Sequence, residues 1–560
     1  MRQASGLHQG QHAPNLAKTA YRGRIAQNLA NVYHSRRFVE LGGRPHISTK
    51  GFAQRGKLAS AGQLAFPLFV FTLAAFVYGL YGFDGTLLRD QAIYLYSGQR
   101  MAEGIPPYVS IFDHKGPLSP MLAGLGVMLS EGLNWDDIYT VRLVFFAIGC
   151  LTVVAVYLLG KSVFRSQAVG FFAALTFLGF YAYGYQAASG PEPKTPMVLF
   201  QALSLLLASR KRWFWAGFFG SLAFLVWQPM GIFALVTFVL AITRPRDERF
   251  GAALRALGGI ATPLVATVAY YYYHGALDDL LDGVVLFNAL HLTRGHHTTS
   301  PLVLRMLTDP SLITSTIREI YTSYSTMVVP IILGLVMIAR LYFLRPYEYR
   351  FAPILLAFPA PFLWGLLDFQ LHQDFFVYLP YAAIGFGALL ALLIDHAKNP
   401  RLLAALLSAV LIVVALATTL EQVNASAAYT VLGTEIDLAQ QREGALEIED
   451  RLGEDAKIAS INSPQVLVLL HRENPNPYPF ITAGIDRQIE AETPGGFEGW
   501  LRDLEEFDPD AIVFFGEGQW VLPTSDLTTE HYPELVDWLN SRYHVEKIGP
   551  WWLYAKGPLW

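Results

Sequence analysis

Sulfur and charge are both scarce in this sequence. One cysteine, Cys150, occurs among 560 residues, which excludes any disulfide within the chain and any zinc site built on paired cysteines. Asp, Glu, Lys and Arg together make up 15%, against roughly a quarter in soluble domains. No complete glycine-rich loop of the Gly-x-x-x-x-Gly-Lys-Ser/Thr kind is present, so the usual backbone cradle for nucleotide phosphates is missing. A formal net charge of −4 gives no reason to expect nucleic acid as a partner. What abounds is apolar: 53% of the residues are hydrophobic and 14% aromatic, the composition of an integral membrane protein.

About twenty apolar residues cross a bilayer core. Segments of that character lie near 62–82, 140–160, 168–186, 195–208, 213–228, 229–243, 254–273, 327–345, 351–368, 376–394 and 401–420. Basic residues mark every second connection: Lys161 with Arg165, Arg210 to Arg212, Arg244 to Arg249, Arg340 to Arg350, and Lys398 with Arg401. By the positive-inside rule these connections and the N-terminus are cytoplasmic, and eleven crossings then carry the C-terminal tail outside. The ends differ in charge as this requires. Residues 1–58 hold ten Lys/Arg against one Glu, whereas 421–560 hold 25 Asp/Glu against nine Lys/Arg. The expectation is a polytopic α-helical protein of the cell (plasma or inner) membrane with about 11 transmembrane helices: a disordered cytoplasmic 1–58, a transmembrane domain over 59–420 and an extracytoplasmic α/β domain over 421–560. In that tail, helices are predicted at 434–452, 464–471 and 531–542, and strands at 457–461, 510–515 and two final short segments.

The first external loop, 83–139, carries the chemistry-bearing residues. Positions 92–103 recur at helical spacing and predict a helix along the interface. Residues 117–130 are apolar but short for a crossing, and predict a helix dipping into the outer leaflet. Tyr181, Tyr183, Tyr185 and Tyr270 to Tyr273 fit an interfacial aromatic belt. Asp90 and Lys115 place a carboxylate and an ammonium at the water–lipid boundary. Such a pair could deprotonate a soluble acceptor while gripping the phosphate of a lipid-borne donor.

Several runs carry a family resemblance: Asp90-Gln91-Ala92-Ile93-Tyr94, Gly104-Ile105-Pro106-Pro107-Tyr108, Phe112-Asp113-His114-Lys115-Gly116-Pro117-Leu118, Val141-Arg142-Leu143, and Ser189-Gly190-Pro191-Glu192-Pro193 in the next external loop. In order and placement they resemble the bacterial branch of the GT-C membrane glycosyltransferases, the protein O-mannosyltransferase and aminoarabinose-transferase-like group. The resemblance covers about the first 240 residues. Two positions depart from it: Gln91 stands where the family often has Glu, and Gly116 where it has a second proline. The first puts any paired-acid or metal role there in doubt; the second implies an effect on local stiffness.

The resemblance implies a polyprenyl-phosphate sugar donor, an external protein, glycan or lipid acceptor, and inversion at the anomeric carbon. It implies Asp90 as general base, Lys115 as partner of the donor phosphate with His114 beside it, and Glu192 as a second-loop acid that binds acceptor or orients Lys115. Tyr94, Asp113, Arg294, His372 and Asp374 are further cavity contacts under the same reading. Plainer roles stand beside these: an ion pair of Asp90 with Arg89 or Arg100, of Lys115 with Asp113 or lipid headgroups, a helix cap for His114, and an offset to a helix dipole for Glu192. Members of the superfamily differ over a divalent cation, and His291, His296 and His297 match no structural zinc spacing, so metal binding stays open. Two other function classes also stay open. A transporter or lipid-handling protein would carry ionisable groups at the bilayer midplane and broken helices in corresponding halves, and a non-catalytic cell-envelope scaffold would tolerate loss of Asp90.

Overall fold

The structure, a computed structural model, describes residues 52–289, 309–344, 348–367, 371–431, 436–481, 485–515 and 531–557. The chain divides into two units, Met1–Gln63 and Leu64–Trp560. Of the basic N-terminal segment, residues 1–51 lie outside the described residues and 52–58 are helical. The tail residues 432–435, 482–484, 516–530 and 558–560 also lie outside them.

A chain dissolved in hydrocarbon must satisfy its own backbone groups, and the apolar segments accordingly fold as helices. They are α1 (Leu64–Gly79), then α2 (Arg89–Ala102), α3 (Leu118–Leu133), α4 (Asp137–Phe164), α5 (Gln167–Leu178), α6 (Tyr181–Ser189), α7 (Lys194–Ser209), α8 (Trp213–Val226), α9 (Ile232–Ile242), α10 (Arg246–Tyr273), α11 (Val328–Leu344), α12 (Leu379–Asp395) and α13 (Pro400–Val431). Among the described residues, Asp137–Phe164, Arg246–Tyr273, Tyr321–Phe343, Phe375–Asp395 and Pro400–Ala427 are long and apolar enough to cross a membrane. The pair α5 and α6, bent by 67°, makes a sixth if counted as one span. The protein is a multi-pass membrane protein, with fewer full-length crossings than the eleven expected. Helices occupy each expected position, but α7, α8 and the Gln228–Ile242 helix run only 10–17 apolar residues. Charge at Arg210 to Arg212 and the Gln228-Pro229 step cut them short. The segment expected at 351–368 splits into Ala352–Ala357 and Pro359–Leu367, since the proline has no N–H to continue the helical ladder.

Phe76, Leu254, Val265, Leu406 and Val413 stand exposed on the outer helices, as suits a surface solvated by acyl chains. Inside, α11 and α12 meet at two glycines. A Cβ on Gly385 would stand 2.1 Å from the Gly334 carbonyl oxygen, so only glycine permits this approach.

The tail builds α14 (Leu438–Leu452), β1 (Ile458–Ser460), α15 (Pro464–Leu470), β2 (Ala511–Phe515), a helix over Tyr532–Arg542, and β3 (His544–Ile548) with β4 (Trp551–Ala555), close to the predicted alternation. Two helices not predicted, Ile485–Glu492 and Gly496–Phe507, fill the connection between β1 and β2. The sheet order is β1-β2-β4-β3. β1 runs parallel to β2, with Ile458 opposite Ala511, while β4 lies antiparallel to both β2 and β3.

Helix α2 differs from expectation in its surroundings. Residues 91–100 are all buried, because α3 covers one side and α15 of the tail another. It is a helix covered by protein on both of these sides. Its partner α3 keeps Ala123, Gly124 and Val127 against it and leaves Leu125, Met128, Leu129 and Leu133 exposed, in keeping with a short peripheral helix. The tyrosine belt divides in the same way. Tyr272 and Tyr273 are exposed, but Tyr183 and Tyr271 are fully buried, and Tyr183 donates to Thr152.

Candidate active site

Between α1 and α2 the chain is non-helical over 83–88, and such a stretch must find partners for its backbone. Arg142 of α4, 1% exposed, donates to the carbonyls of Phe83, Gly85 and Thr86. The tail supplies the others: the N–H of Leu438 donates to Asp84 O at 3.0 Å, and the Gln441 carboxamide accepts from Leu87 N at 2.7 Å and donates to Leu87 O at 3.1 Å. Gln91 accepts from Leu88 N at 3.2 Å. The departure from the family's Glu therefore places a buried neutral amide at the helix start. Asp90 occupies the first turn, where a carboxylate also meets the positive end of the helix dipole.

Lys115 is fixed from another direction. Asp113 Oδ1 accepts from the N–H groups of His114 at 2.8 Å and Lys115 at 3.3 Å, and Tyr108 donates to Lys115 O at 2.6 Å. The His114 carbonyl accepts from Gln228 at 2.9 Å and Asn288 at 2.7 Å. Gly116 donates its N–H to Val226 O at 3.2 Å, and a Cβ there would stand 2.0 Å from Leu225 O. The glycine is thus more than a matter of stiffness: proline would lose the donor and collide with the end of α8.

These two supports bring Lys115 Nζ to 3.5 Å from Asp90 Oδ2, with Arg89 Nε 3.5 Å from the other oxygen. The Asp90 side chain is 40% exposed and that of Lys115 20%. Burial disfavours the Asp90 anion, but Lys115 and Arg89 outweigh it and hold the carboxyl below its ordinary value. Burial likewise opposes the Lys115 ammonium, while Asp90, Asp113 and Glu192 together raise its pKa. Lys115 also lies over the Tyr94 ring, 5.6 Å from its centroid, a cation–π placement. Arg100 pairs instead with Glu103 and Glu473, so it is not the partner of Asp90.

Glu192, 3% exposed, sits between α6 and α7. Burial, then the Asp90 charge, push its carboxyl up to about 8, against the opposing pull of Lys115 and Lys194. Asp113 is raised too, mainly by burial. His114 stacks on Phe287 at 5.4 Å and has its Nδ1 3.7 Å from Asp113; it is not the cap of α3, whose N-cap is Pro117. Asp374 pairs with Lys194 at 2.7 Å, both nearly buried, and Lys194 Nζ lies 3.0 Å from the centroid of Trp227.

The structure thus gathers Asp90, Tyr94, Asp113, His114, Lys115 and Glu192 into one charged cluster, while Asp374 answers to Lys194. Arg294, His291, His296 and His297 lie outside the described residues, as does the side chain of His372. Among the described residues no group of three His, Cys, Asp or Glu is placed to hold a metal ion. Sequence reasoning passed over Lys194, Arg142 and Gln441 as functional positions. A lysine opening an apolar helix was the available signal for the first; the other two act on partners far away in the chain.

Residues 104–267 match the sequence model of a family described as DolP-mannose mannosyltransferase. No curated protein matches the chain by sequence. Among solved structures, ArnT from Cupriavidus metallidurans in the apo state superposes with a TM-score of 0.56 at 13% identity, covering 89% of this chain and all of that one. The same protein bound to undecaprenyl phosphate gives a TM-score of 0.56 at 14% identity over the same shares. The chain has the fold of ArnT, and the family match bears out the resemblance to polyprenyl-phosphate-sugar-dependent GT-C glycosyltransferases.

Proposed function

We propose that this protein is an inverting glycosyltransferase that moves a sugar from a polyprenyl-phosphate donor to an extracytoplasmic acceptor, with Asp90 as general base and Lys115 as the phosphate partner. The observation that carries this reading is the Asp90–Lys115 pair. Two opposite charges 3.5 Å apart and open to solvent on one side can be separated by an incoming anion without an uncompensated buried charge. A donor phosphate arriving at Lys115 takes over the ammonium and releases Asp90 from the charge that lowers its pKa, so the carboxylate becomes a stronger base once donor is bound. The acceptor O–H or N–H then loses its proton to Asp90 as the acceptor atom bonds to the anomeric carbon. The bond from that carbon to the phosphate oxygen breaks, and the electron pair leaves on the polyprenyl phosphate beside Lys115. Base catalysis of this kind supplies about 10²–10⁴-fold. His114 flanks the phosphate, and Glu192 takes the acceptor or orients Lys115. Tyr94, Asp113, His372 and Arg294 are further contacts of donor or acceptor.

In this reading the membrane domain spans 59–420 with eleven crossings, the N-terminus is cytoplasmic and the 421–560 domain lies outside. Support comes from the packing of loop 83–139 on the tail, where Phe112 donates to Pro477 O at 2.7 Å and Arg100 pairs with Glu473. Two segments in contact share a side, so an even number of crossings separates them, as eleven in all provides. The alternating basic connections support the orientation.

The test uses purified protein and a panel of synthetic polyprenyl-phosphate sugars. Asp90→Asn should bind donor yet transfer little, while Lys115→Ala should bind donor poorly. Full transfer by Asp90→Asn to an acceptor that needs deprotonation overturns the assignment. The panel also identifies the sugar.

A further inference from the structure

The base and the phosphate partner are held by different sets of contacts. Lys115 is placed by Tyr108, Gln228, Asn288 and the Val226 carbonyl at the end of α8. Asp90 stands at the start of α2, and α2 is tied to the C-terminal domain at both ends. Near its far end, Gln99 donates to Val468 O at 3.1 Å, the Tyr96 hydroxyl accepts from Asn474 N at 3.0 Å, and Arg100 pairs with Glu473. Ahead of its start, Thr86 donates to Ile436 O, Leu438 N donates to Asp84 O, and Gln441 closes both hydrogen bonds on Leu87.

Gln441 is 0% exposed, as is Leu87. A primary carboxamide that accepts from one residue's N–H and donates to its C=O does what a neighbouring strand would do: it fixes the peptide in two directions at once. Leu87 has no helical partner for these groups, and buried backbone groups left unpaired drive the chain to rearrange. Three residues later comes Asp90.

We propose that Gln441 is a positioning residue for Asp90, and that the C-terminal domain is a built-in scaffold setting the base against the phosphate site instead of merely covering it. The proposal rests on the reading of Asp90 as general base. The tail also reaches the phosphate side, where Phe112 N–H donates to Pro477 O, but the Gln441 carboxamide bears on Leu87 alone, so disturbing Gln441 separates two kinetic quantities that a general loss of folding would move together.

The test compares wild-type protein with Gln441→Met, which keeps length and volume but neither hydrogen bond, and with Leu446→Ala at an exposed position of the same helix α14. In full-length protein with polyprenyl-phosphate sugars, Gln441→Met should lose about 10–100-fold in kcat, the scale expected when a catalytic group is misplaced by about an ångström. Its KM for donor should stay within about twofold. Amide exchange should quicken over residues 85–92 and hold over 113–118. Leu446→Ala should change neither. A wild-type kcat in Gln441→Met, an equal loss in Leu446→Ala, or faster exchange throughout the tail with a raised donor KM each overturns the proposal. Wild-type protein that transfers sugar from no donor overturns the functional reading; unchanged exchange at 85–92 overturns the clamp alone.

Discussion

Two of the lysine–aspartate pairs among the described residues behave as opposites in structure. Asp90 and Lys115 meet at 3.5 Å with side chains 40% and 20% exposed, whereas Lys194 and Asp374 meet at 2.7 Å with 8% and 6%. The first is loose, wet and shared with Arg89; the second is close, dry and capped by the Trp227 ring. A pair that water can reach gives little to stability and is readily exchanged for a ligand. A pair deep in protein gives little net advantage over an apolar packing but is ruinous to halve, because the survivor keeps its charge where nothing solvates it. One pair is therefore suited to chemistry and the other to holding α7 against the segment before α12.

The sharpest way to break this contrast is to neutralise one carboxylate in each pair. Asp90→Asn should cost about 10²–10⁴-fold in sugar transfer while lowering unfolding free energy by less than about 1 kcal/mol, read by rate assay and thermal melting on the same preparation. Asp374→Ala should do the reverse first: a destabilisation of about 3–5 kcal/mol, visible as a lower melting temperature in detergent before any assay begins. Equal melting temperatures for the two variants would erase the distinction.

Glu192 sharpens the comparison from between the pairs, since it senses Lys115 and Lys194 both. Its carboxyl is pushed up to about 8 from 4.5, by burial and then by Asp90. Between those values the unfolded chain releases the proton and the folded one keeps it, so the group's contribution is complete below the lower value and is lost as pH rises through the upper. The slope is at most about 1.4 kcal/mol per pH unit. Glu192→Gln should flatten the decline of melting temperature over that window, and an unaltered pH profile would count against the raised carboxyl. The smallest effect is expected from Lys194→Met combined with Asp374→Leu, which replaces the dry pair by apolar side chains. Chemical denaturation should return stability to within about 1 kcal/mol of wild type or above it.

How much of this was legible beforehand depends on the reach of each interaction. Loop 83–139 announced itself because Asp90, Asp113, His114 and Lys115 break an apolar sequence locally, and the tail's alternation of helix and strand is local as well. The positions of the membrane helices could be read from hydropathy, but their completeness could not: Pro359 and the Gln228-Pro229 step shorten segments whose average character still suggests a crossing. Tyr183 was misplaced in the aromatic belt because a tyrosine near a helix end looks the same whether its hydroxyl meets headgroups or Thr152. Asp374 could be placed in the interior but not paired with Lys194, 180 residues earlier. Gln441 in a polar helix has no pattern that points to Leu87; periodicity reports which face is covered and never by what.

That last contact has a consequence in time. Leu87 and Gln441 are 354 residues apart, and ribosomes extend a chain by roughly 5–20 residues per second, so about 20–70 s separate the synthesis of the two. Until the tail has been made, the peptide that carries Asp90 lacks the amide partner that closes on it. Under the function proposed above, a nascent or truncated chain would thus lack a settled base, and lipid-linked sugar would be safe from premature discharge during the protein's own birth.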